Sequence, residues 1–360
     1  MSDLRIAVLG VGMMGADHVA RITSKISGAR VAVINDYLPE KAAEIAASVP
    51  GSRVAADPFD AINADDVDAV VLATPGPTHE KQLLACLEQG KPVLCEKPLT
   101  TDSASSLEVV RREAALGTPL IQVGFMRRFD PEYQQLKMLI DGGELGQPLV
   151  MHCVHRNPTV PPSFDSAMIV RDSLVHEVDV TRFLLGEEIA SVQIIKPMPN
   201  RGAPRGLQDP QIAIFRTVSG RHVDVEVFVT TGVAYEVRTE VVGELGSATI
   251  GLNVGLVRKS APGTWGGRIT PGFRERFGTA YDIQLQRCAR RVSGRWSPAS
   301  ASASSSPKGS VPDEDRAGSH TVPPRLRSAR FPPCSGGFGL RVPAADPASG
   351  LHPVLQPSPS

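Results

Sequence analysis

Short, almost purely apolar runs recur along the first third of the chain. RIAVLG (5–10), RVAVIND (30–36), DAVVLATP (68–75), KPVLCEKP (91–98) and PLIQVGF (119–125) have the Val/Ile/Leu character of strands buried on both faces. Between them lie MMGADHVARITSK, LPEKAAEIAASV, THEKQLLACLEQG and SSLEVVRREAALG, whose apolar residues return at helical spacing. Strand and helix in strict alternation predict a parallel sheet covered on both faces. Residues 1–124 therefore read as a doubly wound Rossmann-type α/β domain.

From Gly124 the pattern changes. One helix, DPEYQQLKMLID, is followed by segments of period two: PLVMHCVHR, IASVQIIKP, PQIAIFRTV, HVDVEVFVTTG, AYEVRTEVVGELGSATIGL and GLVRK. Turns such as Ser219-Gly220 join them, which predicts an open, mostly antiparallel sheet in an α+β domain over residues 125–287. A single helix, AMIVRDSLVHEVDVTRFLLG (167–186), interrupts the strands. After Arg287 neither period persists, and Ser, Pro, Ala, Gly and Arg dominate. Such a composition buries too little apolar surface to offset chain entropy, so residues 288–360 are expected to form a disordered tail.

Charge narrows the function classes. The 360 residues carry 38 basic and 38 acidic side chains, with no footprint for nucleic acid or an anionic membrane. No apolar stretch approaches the roughly 20 residues that span a bilayer, and MSDLRIAVLG enters a strand with no leader pattern. Cys86, Cys95, Cys153, Cys288 and Cys334 are scattered and odd in number, which speaks against a disulfide framework and for small buried hydrophobes in a reducing, cytoplasmic setting. No metal-ligand spacing is present, and no metal is expected.

GVGMMG follows a strand and opens a helix, the context that gives a G-x-G-x-x-G run its mechanism. Gly10 permits the tight turn, Gly12 lets the backbone approach a pyrophosphate, and Gly15 allows close helix–strand packing. The phosphates then meet the free N–H groups of the helix N-terminus. Asp36 ends the second strand, where its carboxylate accepts ribose hydroxyls and repels a 2′-phosphate, so NAD is expected over NADP. Met13 and Met14 of the same loop, Thr74 at a strand end, Glu96 and Lys97 are assigned to the cofactor side.

Two clusters carry candidate chemistry. Lys97 surfaces at the carboxyl end of a parallel strand, where open α/β sheets place ligand contacts, and an ammonium there stabilises an alkoxide. Asp172 and His176 stand four apart on a helix and are expected to share a face, the imidazole as base and the carboxylate as its orienting partner. A plain helix pair gives the same spacing. His155 and Asn157 fall on one face of a strand and read equally as hydroxyl ligands or edge polarity. Arg127, beside Met126, reads equally as an interdomain salt bridge.

The ordered set GVGMMG, CEKPL, QVGFMRRFDP, HRNPTV, DSLVHEVDV and AYEVRTEVVGE closely resembles the NAD-dependent inositol 2-dehydrogenase branch of the glucose–fructose oxidoreductase-like (Gfo/Idh/MocA) family, over about residues 3–287. The resemblance implies that Lys97, Asp172 and His176 are catalytic. It also implies that Met126, Arg127, His155, Asn157 and Tyr235 contact substrate, and that the Lys97–Pro98 peptide is cis. The implied reaction is oxidation of myo-inositol to scyllo-inosose in inositol catabolism, by a tetramer built through the second-domain sheets. A dehydrogenase of another cyclitol or a pyranose fits the same donors. An NAD-binding but inactive chain is the other alternative, because family members continue beyond Arg287 with further helices. Here those give way to residues typical of GC-rich DNA read in a shifted frame.

Overall fold

The computed structural model describes residues 3–252, 257–260, 263–266 and 270–294. Six parallel strands form the first sheet: β1 (Leu4–Leu9), β2 (Ala29–Asn35), β3 (Arg53–Val54), β4 (Ala69–Leu72), β5 (Val93–Cys95) and β6 (Ile121–Val123). Their order is β3-β2-β1-β4-β5-β6, so the crossover direction reverses between β1 and β4. That reversal opens a crevice at the carboxyl ends of the strands. Helices α1 (Met13–Lys25), α2 (Pro39–Ala47), α3 (Pro58–Asn63), α4 (His79–Glu88) and α5 (Ser103–Leu116) cover the two faces. Two apolar cores result, one around Val8, Val31 and Val71 and the other around Leu9, Val33 and Leu72. The short β3 and α3 had no counterpart in the apolar pattern. α3 is held instead by Asp57, whose side chain accepts from Phe59 N, and by proline at its first position.

The second half begins with α6 (Pro131–Asp141) and β7 (Pro148–Arg156), and continues through β8 (Ile189–Ile195), β9 (Gln211–Thr217), β10 (His222–Phe228), β11 (Glu236–Gly243) and β12 (Ser247–Ile250). The sheet order is β12-β11-β7-β10-β9-β8, antiparallel throughout except where β10 pairs parallel with β7. Met151, Cys153 and His155 of β7 alternate inward, against a core that includes Phe215, Val225, Tyr133 and Leu136.

Two expectations are corrected here. The stretch 167–186 is not one α-helix: after a short turn at Ser166–Met168, residues Ile169–Leu174 are π-helical, and only Val175–Leu185 is α-helical. Chain expected to belong to the tail also remains ordered for several more residues, since a helix runs Gly278–Val292. Its Phe277 and Tyr281 end packs on the core of the second domain, while Leu285, Cys288, Ala289 and Val292 pack on the first-domain core around Val8. Fully burying a Leu-sized side chain contributes on the order of 1.5–3 kcal/mol, enough to carry the helix past the point where composition shifts. The tail from residue 295, including Cys334, lies outside the described residues. Among the described residues no helix is long and apolar enough to cross a membrane.

Candidate active site

The glycine loop lies between β1 and α1. Gly10 has φ +82°, and a Cβ there would come within 2.6 Å of the Ala73 carbonyl oxygen. A Cβ on Gly15 would fall 1.8 Å from the Gly10 carbonyl oxygen, whereas one on Gly12 would meet nothing within 4 Å. The loop is therefore closed on two sides and open on one, directly over an α1 N-terminus that has no side-chain cap. Asp36 is buried, its carboxylate accepting from Val11 N at 2.7 Å and Leu38 N at 3.0 Å. Open space at Gly12, uncapped N–H groups and a carboxylate at the end of β2 fit a dinucleotide with unesterified ribose hydroxyls. Thr74 closes the neighbouring strand end and bonds Gln82. Met13 is exposed, while Met14 packs against the core of the second domain.

Lys97 follows β5, and the Lys97–Pro98 peptide is cis, as expected from the resemblance. His79 braces this segment, one ring nitrogen 2.9 Å from the Pro98 carbonyl and the other 2.8 Å from that of Thr74. Glu96 is buried and lies 2.8 Å from Nε2 of His18, a residue with no exposed surface. Lys97 Nζ donates to the Asp172 carbonyl oxygen at 3.2 Å, tying the first domain to the helix that carries His176.

The pairing expected of Asp172 and His176 is absent. Asp172 sits in the π-helical turn, which has more residues per turn than an α-helix, so a four-residue separation no longer stacks the two side chains. Its carboxylate accepts from Arg171 at 3.2–3.3 Å instead. His176 is buried beside Phe125 and His155. Its Nδ1 is enclosed without a partner. Burial first, then the positive charges of Arg127 and Lys97, hold its pKa well below the ordinary value, so the ring is neutral at physiological pH.

Arg127, His155 and Tyr235 do come together, around a residue the sequence did not single out. Arg127 and Glu177 form an ion pair with each side chain 1% exposed. Burial alone would raise the Glu177 carboxyl, but Arg127 and His155 bring it down to about 2. His155 Nδ1 lies 3.2 Å from Glu177 Oε2 and 3.2 Å from Arg127 Nη2, and the Tyr235 hydroxyl also contacts Arg127. Glu177 adjoins His176 in the chain, but its partners lie 50 and 22 residues away. Met126 is buried in the core of the second domain, and Asn157 Oδ1 is buried without a partner. Among the described cysteines, burial pushes the Cys86 and Cys153 thiols up to about 12 and the Cys95 thiol well above its usual value, which disfavours their thiolates.

The chain as a whole has counterparts among known proteins. The profile of the oxidoreductase family with an NAD-binding Rossmann fold (GFO/IDH/MocA) matches residues 4–125, and the GFO/IDH/MocA C-terminal domain matches residues 133–249. An inositol 2-dehydrogenase of Mycolicibacterium gilvum is 77% identical over 287 residues, covering 80% of this chain and 82% of that one. One from Rhodococcus erythropolis is 77% identical over 290 residues, with 81% and 84% covered. The crystal structure of myo-inositol dehydrogenase from Lactobacillus casei in complex with NAD(H) and myo-inositol superposes with a TM-score of 0.78 at 32% identity, covering 81% of this chain and 87% of that one. With family profiles matched along both domains and relatives 77% identical over most of its length, the chain belongs to the GFO/IDH/MocA family of NAD-binding oxidoreductases.

Proposed function

We propose that the protein is an inositol 2-dehydrogenase that oxidises myo-inositol to scyllo-inosose with NAD, as a step of inositol catabolism. The observation that carries the reading is the Lys97–Asp172 contact, which brings the ammonium at the end of β5 to the helix of a neutral, buried His176. The high identity to relatives named for this activity supports it.

In this scheme His176 Nε2 accepts the proton of the reacting hydroxyl, and the Lys97 ammonium stabilises the alkoxide. Asp172 holds Lys97 through its carbonyl oxygen, so its part is to place the ammonium while its carboxylate stays with Arg171. Asn157 Oδ1, His155 and Tyr235 contact the remaining hydroxyls, and Met126 and Arg127 shape the floor. NAD, when bound, supplies the acceptor for the hydride leaving the carbinol carbon. The low pKa of His176 keeps its lone pair available without a proton to remove first. We place the enzyme in the cytoplasm as a tetramer joined through the second sheet, a state that light scattering measures.

The test is a rate of NADH formation by the full chain across myo-inositol, scyllo-inositol, other cyclitols and glucose, with the product identified by mass and chromatography. Preference for myo-inositol and a scyllo-inosose product support the reading. Preference for a pyranose, or NAD binding without turnover on any of these, rejects it.

A further inference from the structure

The ion pair of Arg127 and Glu177 has a cost that packing alone does not justify. Two charges taken fully out of water lose solvation that their mutual attraction only partly restores, and apolar residues of similar volume are often as stable. What the pair does besides attract is meet one ring nitrogen of His155 from two sides. Nδ1 lies 3.2 Å from an anionic acceptor, Glu177 Oε2, and 3.2 Å from a cationic donor, Arg127 Nη2. Only one of these contacts is a hydrogen bond at a time, and the choice sets the tautomer of the ring.

The surroundings decide the choice. If Nδ1 were the bare nitrogen, its lone pair would face a carboxylate oxygen in a dry core. The Glu177 carboxyl, held at about 2, stays ionised throughout the neutral range, so that repulsion would persist. The guanidinium has another acceptor for its N–H groups, Glu177 Oε1. Placing the proton on Nδ1 pairs Glu177 Oε2, and Arg127 keeps Glu177 Oε1. Nε2 is then the bare nitrogen. It has no hydrogen-bond partner among the described residues, in a residue that is 3% exposed. The His155 ring lies 6.2 Å from that of His176 and 5.9 Å from that of Tyr235, centre to centre.

We propose that Glu177 is a positioning residue for His155, holding the Nδ1 proton so that Nε2 faces the substrate as an acceptor only. Two imidazoles then stand side by side as acceptors, His176 for the hydroxyl that reacts and His155 for a second hydroxyl of the same ring. The site therefore selects a polyol that donates at both positions. It discriminates against a ring bearing hydrogen, fluorine or an ether oxygen at the second one. This rests on the polyol-oxidation reading given above.

The experiment has two arms. In the first, long-range proton–nitrogen correlation spectra of the unmodified, nitrogen-15-labelled chain report which His155 nitrogen carries hydrogen, with His155→Asn giving the assignment. A proton on Nδ1 is expected, and a proton on Nε2 overturns the proposal. In the second, kcat/KM is measured for myo-inositol and for its singly deoxyfluoro analogues, in the unmodified enzyme and in Glu177→Gln. Leaving the acceptor unpaired should cost the unmodified enzyme about 10- to 100-fold on the analogue fluorinated at the His155 position. A glutamine amide can donate to Nδ1 and so move the proton to Nε2. The same analogue should then recover about tenfold or more relative to myo-inositol in Glu177→Gln. An unchanged ratio overturns the proposal, because simple loosening of the fold lowers both rates together. Should Glu177→Gln fail to fold, the spectra of the unmodified chain decide alone. Absence of turnover on myo-inositol would reject the functional reading and leave the spectroscopic arm standing.

Discussion

Replacing Gly12 and Gly15 by alanine, one at a time, should separate nucleotide binding from folding. Gly12 has φ −63° with an extended ψ, and its Cβ would have no neighbour within 4 Å. Gly12→Ala should therefore fold normally, with a gain of up to about 0.4–1 kcal/mol from reduced freedom of the unfolded chain. The added methyl occupies the space left for a pyrophosphate. Losing one charge-assisted hydrogen bond there costs about 1.5–3 kcal/mol, or about 10- to 150-fold in the Kd of NAD. Gly15→Ala differs in kind, because its Cβ would lie 1.8 Å from the Gly10 carbonyl oxygen and 2.8 Å from its carbon. Backbone cannot give way as a side-chain end does, so the loop must open, and the cost should reach the roughly 1–3 kcal/mol or more of overpacking. Thermal unfolding with and without NAD, together with calorimetric titration, reads both quantities. At saturating NAD a hundredfold weaker Kd removes about 2.7 kcal/mol of ligand stabilisation. Undiminished NAD binding by Gly12→Ala would refute the placement of the phosphates, and an unaltered melting temperature for Gly15→Ala would refute the loop geometry.

Other outcomes follow from the same structure. Asp36→Ala removes the charge that repels a 2′-phosphate, so the NADP/NAD ratio of kcat/KM should rise; equal use of both by the unmodified chain contradicts the assignment. His176→Ala should lower turnover by about 10²–10⁴-fold while calorimetry shows NAD binding nearly unchanged, and near-normal turnover would return the histidine to a packing role. Acid should destabilise the fold in two windows. Below its ordinary pKa of 6.5 His176 binds fewer protons when folded than when unfolded, so stability falls as pH drops through that value, by up to about 1.4 kcal/mol per unit. Glu177, held at about 2 against an ordinary 4.5, contributes stability above 4.5 that is lost as pH falls toward 2, about 3 kcal/mol in all. Denaturant titrations at stepped pH test this, and a flat profile between pH 7 and 3 would contradict it.

What was legible in the sequence was local. Gly10, Gly12, Gly15 and Asp36 lie within one β-α-β unit, so spacing alone predicts the tight turn, the close packing and the strand end that the structure shows there. β7 could be read because His155 and Cys153 alternate with outward residues. The relation of Asp172 to His176 could not, because α-helical spacing was assumed across residues that the chain folds as a π-turn. Glu177 was passed over because its charge looks like a solvated helix face until Arg127 and His155 are brought to it from distant segments. His18 was invisible for the same reason, its partner Glu96 lying 78 residues away. The end of the last helix was misplaced because composition shifts before the apolar spacing of Leu285, Cys288, Ala289 and Val292 runs out.

The most direct test of the central claim is the fate of one hydrogen. The full chain is incubated with NAD and myo-inositol carrying deuterium at the carbinol carbon that reacts, and both products are weighed by mass spectrometry. The account predicts deuterium delivered to the reduced nicotinamide, a six-membered keto-inositol as the other product, and formation of both slowed by about 10²–10⁴-fold in His176→Ala. Reduced nicotinamide without deuterium, or none formed at all although NAD is bound, would contradict it.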